Sequence, residues 1–191
     1  MSLTATQPVR KRYDAFALTL HWITAFSVIF LFASAHIWEV LERGTPLRKG
    51  LQSLHISCGI LLAAVMIVRP LWRIISQRSP RYAMPPVAAS RPSRMLAHLV
   101  HGMLYLLLLT QVVLGFLFRW AQQEPFRFFG LFDIPQWYAV DPALRHTLAG
   151  LHNNVAWALI LLAAAHALAA LFHHYFLRDN VLRRMLPGRD S

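Results

Sequence analysis

Four long apolar segments, separated by short polar connections, dominate the chain. They run over about Ala15–Ile37, Leu51–Ile75, Leu96–Phe118 and Thr147–Tyr175. Each exceeds the roughly 20 apolar residues that a helix needs to cross a bilayer. Because backbone polar groups in hydrocarbon must be paired within their own segment, each is predicted to be a membrane-spanning helix. The pattern therefore predicts an all-α fold, an integral membrane four-helix bundle with antiparallel neighbours.

The first segment resembles a signal peptide in two respects. Arg10, Lys11 and Arg12 precede it, and Ala33-Ser34-Ala35 has the small residues of a cleavage site. The apolar run between them is longer than the h-region of a typical signal peptide. We therefore expect this segment to be retained as the first helix.

Glycine and proline mark the connections between the segments. Gly44-Thr45-Pro46 predicts a tight turn after span one. An irregular loop is predicted between spans two and three, at Ser79-Pro80, Pro85-Pro86 and Arg91-Pro92. The longest connection, about Arg119–Arg145, is rich in aromatic residues and is expected to lie among lipid headgroups: Phe126, Phe128, Phe129, Phe132, Trp137 and Tyr138.

Composition supports a membrane protein of one domain, covering residues 1–191. The chain is 57% hydrophobic, with a mean hydropathy of +0.43, too apolar for an ordinary soluble fold. Cys58 is the only cysteine, so the chain has no internal disulfide and no CxxCH haem-attachment motif.

The placement of basic residues predicts the orientation. If both termini and the loop after span two share one side, that side holds thirteen of the nineteen Lys and Arg residues and the other side holds six. The positive-inside rule then places both termini in the cytoplasm. The net charge of +11 is accordingly interpreted as a topology signal with contact to anionic membrane lipids, and a nucleic-acid partner is not expected.

Four histidines lie within the apolar segments at matching depths. His152 and His166 are fourteen residues apart on span four, a rise of roughly 21 Å with a rotation that returns to within about 40° of the same helix face. His21 on span one matches the depth of His166, and His55 on span two matches that of His152. Ionisable side chains in hydrocarbon are costly and therefore suggest function. Two imidazole pairs, one near each side of the membrane, are the axial ligands that two b-type haems require.

Two alternatives remain open from spacing alone. His36 lies fifteen residues after His21 on roughly the same face, so it competes with His55 as the partner of His152. All four histidines could also be hydrogen-bonded structural residues or a proton relay. Gly59, one turn after His55, favours His55 slightly because it leaves room for a flat macrocycle.

A second group of histidines is predicted at the cytoplasmic ends of spans three and four: His98, His101, His173 and His174. A quinone site needs an apolar slot, a polar group for each carbonyl and a source of protons, which His98, His101 and His173 could provide. Contact with headgroups is the simpler interpretation, and a zinc site is a weaker one because no carboxylate or thiolate joins the group. Arg69 and Arg73, near the end of span two, would reach headgroups or pair with a haem propionate.

Several motifs together resemble the bacterial cytochrome b561 family, in particular its superoxide oxidase branch. They are Leu20-His21-Trp22, Leu54-His55-Ile56-Ser57-Cys58-Gly59 with Val68-Arg69, Leu96-Ala97-His98-Leu99-Val100-His101, and His173-His174-Tyr175-Phe176 with Arg178-Asp179-Asn180. The similarity covers about Tyr13 to Pro187. The resemblance implies a bacterial inner-membrane protein with two b haems, held by His21 with His166 and by His55 with His152.

The resemblance also implies an activity, namely oxidation of periplasmic superoxide to oxygen with reduction of ubiquinone. Arg119, Arg127 and Arg145 could attract the anionic donor, although acidic residues nearby leave the outer loops with little net charge. The alternative is a haem-bearing membrane anchor that relays electrons for a separate dehydrogenase, whose identity the sequence does not give. A haem-free transporter that uses histidines to carry protons is a third and weaker alternative.

Overall fold

The computed structural model describes residues 12–79, 82, 90–124 and 126–188. Within these residues four helices are long and apolar enough to cross a membrane. They are α1 (Ala15–Val40), α2 (Pro46–Gln77), α3 (Arg91–Ala121) and α4 (Arg145–Tyr175). The predicted four-helix membrane bundle is therefore confirmed. The basic residues Arg10 and Lys11, and the predicted loop features Pro80 and Pro85-Pro86, lie outside the described residues.

Helices α1 to α3 begin at capping residues that the hydrophobic pattern alone does not show. Asp14, Thr45 and Ser90 each accept a hydrogen bond from a backbone N–H in the first turn of the following helix. As a result, α2 and α3 each start five residues before the apolar segment. Arg91-Pro92, predicted as loop, is the first turn of α3, because proline is tolerated where a helix has no N–H partner to lose.

The helices pack mainly as two antiparallel hairpins, with α1 along α2 and α3 along α4. All four helices contribute to a central apolar cluster made of Val28, Leu62, Met66, Leu108 and Leu159. Large apolar side chains such as Phe26, Leu106 and Leu161 point outward, each more than 60% exposed. Such a surface is stable against lipid and not against water.

The bundle has two distinct ends. At one end, the backbone N–H of Tyr13 donates to the carbonyl of Arg184 (3.2 Å), and the indole N–H of Trp22 donates to the carbonyl of Met185 (2.8 Å). We call this the inner end and the opposite one the outer end. A short 3₁₀ turn, Leu182–Met185, follows α4 at the inner end and so lies against the start of α1.

The connection from α3 to α4 contains a β-hairpin that the sequence analysis did not predict. Strands β1 (Phe126–Phe128) and β2 (Phe132–Ile134) pair antiparallel, with Arg127 opposite Asp133. The turn between them places Phe129 and Gly130 at φ values of 48° and 73°, as in the primed turns that suit hairpins. A second 3₁₀ turn, Pro142–Leu144, leads into α4.

Candidate functional site

The outer end brings His55 and His152 together. His55 on α2 and His152 on α4 have ring centroids 6.4 Å apart, with planes inclined by 66°. The Trp38 ring lies 4.9 Å from that of His55, and the Phe118 ring lies 6.5 Å from that of His152. Two imidazoles from different helices thus share one aromatic-lined pocket.

Ser34 on α1 fixes the proton of His55. Its hydroxyl, only 1% exposed as a residue, donates to the carbonyl of Leu31 (3.1 Å) and lies 3.1 Å from Nδ1 of His55. Since the hydroxyl proton is used by Leu31, the Ser34 oxygen accepts from Nδ1–H of His55. The lone pair of Nε2 is then free, which is the state of an imidazole that binds a metal.

His152 is held by a glutamine and by a glycine. Nε2 of Gln111 lies 3.1 Å from Nε2 of His152, while Nδ1 of His152 and Oε1 of Gln111 are buried without a partner among the described residues. A Cβ on Gly115 would lie 3.3 Å from Cε1 of His152, so α3 leaves space that the imidazole fills. A Cβ on Gly59 would meet no atom within 4 Å. For Nε2 of His152 to bind a haem iron, the Gln111 amide must first leave it, and the open space beside Gly59 leaves room for the macrocycle.

His36 is engaged elsewhere. Its Nδ1–H donates to the carbonyl of Phe32 in its own helix (2.9 Å). Its ring packs against Phe32 at 4.3 Å and against Trp157 of α4 at 5.3 Å. The structure thus pairs His152 with His55, whereas His36 fills an aromatic contact between α1 and α4.

The inner end gathers His21, His166 and His101. Electrostatic interactions link His21 to both of the others, and the rings of His101 and His166 lie 5.1 Å apart. His101 also donates from Nδ1–H to the carbonyl of Ala97 (2.6 Å). The two predicted inner ligands are therefore near each other, and His101 is a direct neighbour of one of them.

Arg69 of α2 forms a hydrogen bond with His21 that must break before His21 can bind a metal through Nε2. Its guanidinium nitrogen lies 3.0 Å from Nδ1 of His21, and its Cζ lies 5.3 Å from the ring centre of Tyr105. Arginine only donates, so Nδ1 accepts and the ring proton resides on Nε2. For Nε2 to bind iron, this hydrogen bond must break, and the freed guanidinium then needs an acceptor. A haem propionate is a suitable one.

The three histidines predicted to bind quinone are not assembled into one cluster. His98 is exposed on α3, and His101 contacts His166. His173 donates from Nδ1–H to Asp179, at 2.5 Å. Among the described residues no hydrogen bond or ring contact joins the three to one another. Nδ1 of His174 is buried and has no hydrogen-bond partner among the described residues.

The cationic outer surface is weaker than the sequence alone indicates. Arg119 pairs with Glu124 and Arg127 pairs with Asp133, each at 2.8 Å. Arg145, at the start of α4, is exposed. Two of the three arginines proposed to attract an anion thus already face a carboxylate.

Sequence reasoning did not single out Ser34, Gln111, Gly115 or Asp179 as functional residues. Ser34, Gln111 and Gly115 each contact a histidine of another helix, so their distance in sequence hides the contact. Asp179 is close to His173 in sequence, but it lies beyond the end of α4, where the helical period no longer predicts contacts. The only available signal was a polar or glycine residue inside an apolar span. Within the described residues, no group of three or more His, Cys, Asp or Glu side chains could hold a metal ion by itself, so nothing there supports the zinc alternative.

Curated relatives resemble the chain over nearly its full length. Cytochrome b561 homolog 2 of Escherichia coli strain K12 is 35% identical over 192 residues, covering 100% of this chain and 97% of the relative. Probable superoxide oxidase CybB of Yersinia pestis is 31% identical over 184 residues, covering 95% and 99%. Cytochrome b561 homolog 1 of Escherichia coli is 28% identical over 180 residues, covering 93% and 98%.

The match to a family profile extends from one end of the bundle to the other. The prokaryotic cytochrome b561 profile aligns with residues 12–188, which include all four helices and every candidate histidine. The family consists of integral membrane proteins that bind haem b and transfer electrons, and the four apolar helices are consistent with a place in the bacterial inner membrane. The chain belongs to the prokaryotic cytochrome b561 family.

Proposed function

We propose that the chain is a di-haem b cytochrome that oxidises superoxide at its outer end and reduces ubiquinone near its inner end. The observation that carries the proposal is the separation of two histidine groups, His55 with His152 at one end and His21 with His166 at the other. A relative named probable superoxide oxidase, 31% identical over 95% of this chain, supports the choice of donor. When bound, the haems would carry single electrons from one end of the bundle to the other.

The protein residues have separate tasks in this proposal. His55 and His152 bind the outer haem and His21 and His166 the inner one. Ser34 keeps the Nε2 lone pair of His55 available, as its hydrogen bond to Nδ1 indicates. Arg145 attracts superoxide, because it is exposed and, unlike Arg119 and Arg127, pairs with no carboxylate among the described residues.

The reaction balances for two superoxide ions and one quinone. Each superoxide loses one electron and becomes oxygen, and the quinone gains two electrons and two protons to become a quinol. The protons must come from the inner end, where His98, His101 and His173 are the candidate donors. With both termini in the cytoplasm, these protons come from the cytoplasm.

The ligand assignment is tested by single alanine variants of the four histidines. We expect His21→Ala and His166→Ala to lose or convert the inner haem, and His55→Ala and His152→Ala the outer one. His36→Ala and His101→Ala are the matched controls and should keep two low-spin haems. The measurement is haem content per chain with low-temperature visible and electron paramagnetic resonance spectra. Loss of a haem in His36→Ala with retention in His55→Ala would reverse the outer assignment. Loss of a haem in His101→Ala with retention in His21→Ala or His166→Ala would reverse the inner one.

The activity is tested on the purified full chain in liposomes that contain ubiquinone. Superoxide generated outside should reduce both haems and then the quinone without any other protein. If the haems are reduced by superoxide and the quinone is not, the acceptor is wrong. If superoxide reduces neither, the chain is a relay for a separate dehydrogenase.

A further inference from the structure

An aspartate in the segment that follows α4 directly contacts a histidine in the last turn of α4. Nδ1 of His173 lies 2.5 Å from Oδ2 of Asp179. The other carboxylate oxygen accepts from the backbone N–H of Val181 (3.0 Å), and the N–H of Asp179 donates to the carbonyl of His173 (3.2 Å). The two side chains are 27% and 30% exposed. The imidazole is therefore oriented by one carboxylate that is itself held by the backbone.

The surroundings keep this carboxylate ionised. Partial burial raises the pKa of Asp179. The hydrogen bonds from His173 and Val181 and the positive charge of Arg184 lower it by more, so the pKa of Asp179 lies below its usual value of 3.8. Other charged and titratable groups at this corner are His174, Arg178, Tyr13, whose N–H bonds the Arg184 carbonyl, and Arg12, whose guanidinium donates to the Leu186 carbonyl. Cations predominate here, which favours an anionic Asp179 at neutral pH.

We propose that Asp179 is the positioning residue of a proton-delivering histidine, fixing Nδ1–H of His173 so that Nε2 delivers protons to the reduced quinone. This inference rests on the proposed function and names the route by which its protons arrive. A carboxylate on Nδ1 sets the tautomer and stabilises the imidazolium, as general acid–base catalysis requires. The position of His173 two turns beyond His166 places it on the ligand face of α4.

The proton step is balanced at His173. One electron from superoxide at the outer end places a negative charge on the quinone, and the Nε2–H bond breaks as an O–H bond forms on the quinone oxygen and neutralises that charge. The imidazole then takes a proton from water at the inner end. Two such cycles supply the two protons of one quinol, while two superoxide ions supply its two electrons.

The contact could instead serve only to end α4. Asp179 bonds the backbone of both His173 and Val181, so a purely structural role predicts that its replacement changes stability and leaves the pH dependence of turnover alone. Asp179→Asn separates the two roles. It keeps an oxygen for Val181 and removes the charge that His173 contacts.

The test compares holoprotein of the wild type, Asp179→Asn, Asp179→Glu and Asn180→Ala in ubiquinone liposomes over a range of pH. Asn180 is the exposed neighbour and serves as the control for disturbing the segment. In Asp179→Asn we expect two intact haems that superoxide reduces at the wild-type rate. We also expect quinone reduction to be slower by at least about tenfold, which is less than the roughly 100- to 10,000-fold that general acid–base catalysis contributes, because the imidazole itself remains. The shape of its pH profile should also change, because the proton donor has lost the charged group that positions it.

The outcomes separate this proposal from the one on which it rests. Asp179→Glu should recover most of the rate, and Asn180→Ala should match the wild type. A wild-type rate and pH profile in Asp179→Asn overturns the role of Asp179 and leaves the proposed function standing. Lower thermal stability with an unchanged rate per intact haem pair also overturns it, in favour of a structural contact. Failure of the wild type itself to reduce quinone overturns both.

Discussion

Hydrogen bonds from single side chains determine which nitrogen each histidine offers. Ser34 accepts from Nδ1 of His55 and leaves Nε2 available, whereas Arg69 donates to Nδ1 of His21 and places the proton on Nε2. His55 and His21 therefore differ in readiness. His55 is oriented for a metal before any cofactor arrives, whereas His21 must first exchange a partner.

Replacing Ser34 by alanine should weaken the outer haem. Nδ1 of His55 loses the Ser34 oxygen but keeps the carbonyl of Leu31. We therefore expect a loss of haem affinity near the lower end of the about 10- to 100-fold that removal of such a partner costs. Haem content after extended washing is the measurement. Ser53→Ala, on an exposed position of α2, is the control. Equal haem retention in both variants would show that the Ser34 contact does not hold the ligand.

Adding a methyl group at Gly115 should disturb the same haem from the other side. Its Cβ would approach Cε1 of His152 to 3.3 Å, so the imidazole must move by a few tenths of an ångström. We expect Gly115→Ala to shift the spectrum or the midpoint potential of the outer haem and to spare the inner one. Gly50→Ala, where a Cβ meets no atom within 4 Å, should change neither. An unaltered outer haem in Gly115→Ala would mean that the ring has another way to move.

At the scale of elements, one buried residue of the bundle forms two hydrogen bonds with the hairpin. Ser57 of α2, with 0% of its surface exposed, donates to the carbonyl of Arg127 (3.2 Å) and accepts from the N–H of Phe129 (2.8 Å). Ser57 lies two residues from His55. Docking of β1 and β2 is thus coupled to the helix that carries a proposed outer ligand.

Removing this attachment should loosen the hairpin. Ser57→Ala leaves a backbone donor and a backbone acceptor without partners, at a cost of roughly 1–3 kcal/mol. Since each 1.4 kcal/mol is a factor of ten, amide exchange at Phe129 should accelerate about tenfold in detergent. Exchange in the middle of α2 should remain slow. Unchanged exchange at Phe129 would show that other contacts hold the hairpin.

The helices could be predicted from sequence and the hairpin could not, for a physical reason. A span of apolar residues has only one way to pair its backbone in lipid, so composition alone predicts α1 to α4. The Arg119–Arg145 connection lies where both water and protein can pair its backbone. The signal for a hairpin there was a glycine flanked by aromatic residues, Phe128-Phe129-Gly130-Leu131-Phe132, which is also typical of a headgroup-seeking loop.

At the scale of the whole molecule, residues 12–13 contact residues 184–186. The two termini of the described chain therefore lie at the same end of the bundle, as expected for an even number of helices. The charge distribution predicts that this end faces the cytoplasm. The depth of the histidines could likewise be predicted, because depth follows from residue counts. Their partners could not, since Ser34, Gln111 and Arg69 approach from other helices at angles that only the packing sets.

Orientation is tested by labelling cysteines introduced at each end in a Cys58→Ser background. With intact bacterial cells, a membrane-impermeant maleimide should label Lys49→Cys, in the first turn of α2. It should not label Arg94→Cys, near the start of α3, until the cells are opened. Labelling of Arg94→Cys alone in intact cells would invert the proposed topology and move superoxide oxidation to the other compartment.

The contact of Trp22 with the carbonyl of Met185 has a consequence for biogenesis. Helix α1 is in contact with residues that the ribosome makes only after all four helices. Until then the inner end lacks its closing segment, and His21 and His166 remain open to a cofactor arriving from that side. We expect chains arrested just after α4 to take up haem faster at the inner site than the finished protein does, and to release it faster, which haem exchange on truncated chains can measure. The interval between the synthesis of α4 and that of the segment after it would then be the period in which haem most easily reaches the inner site.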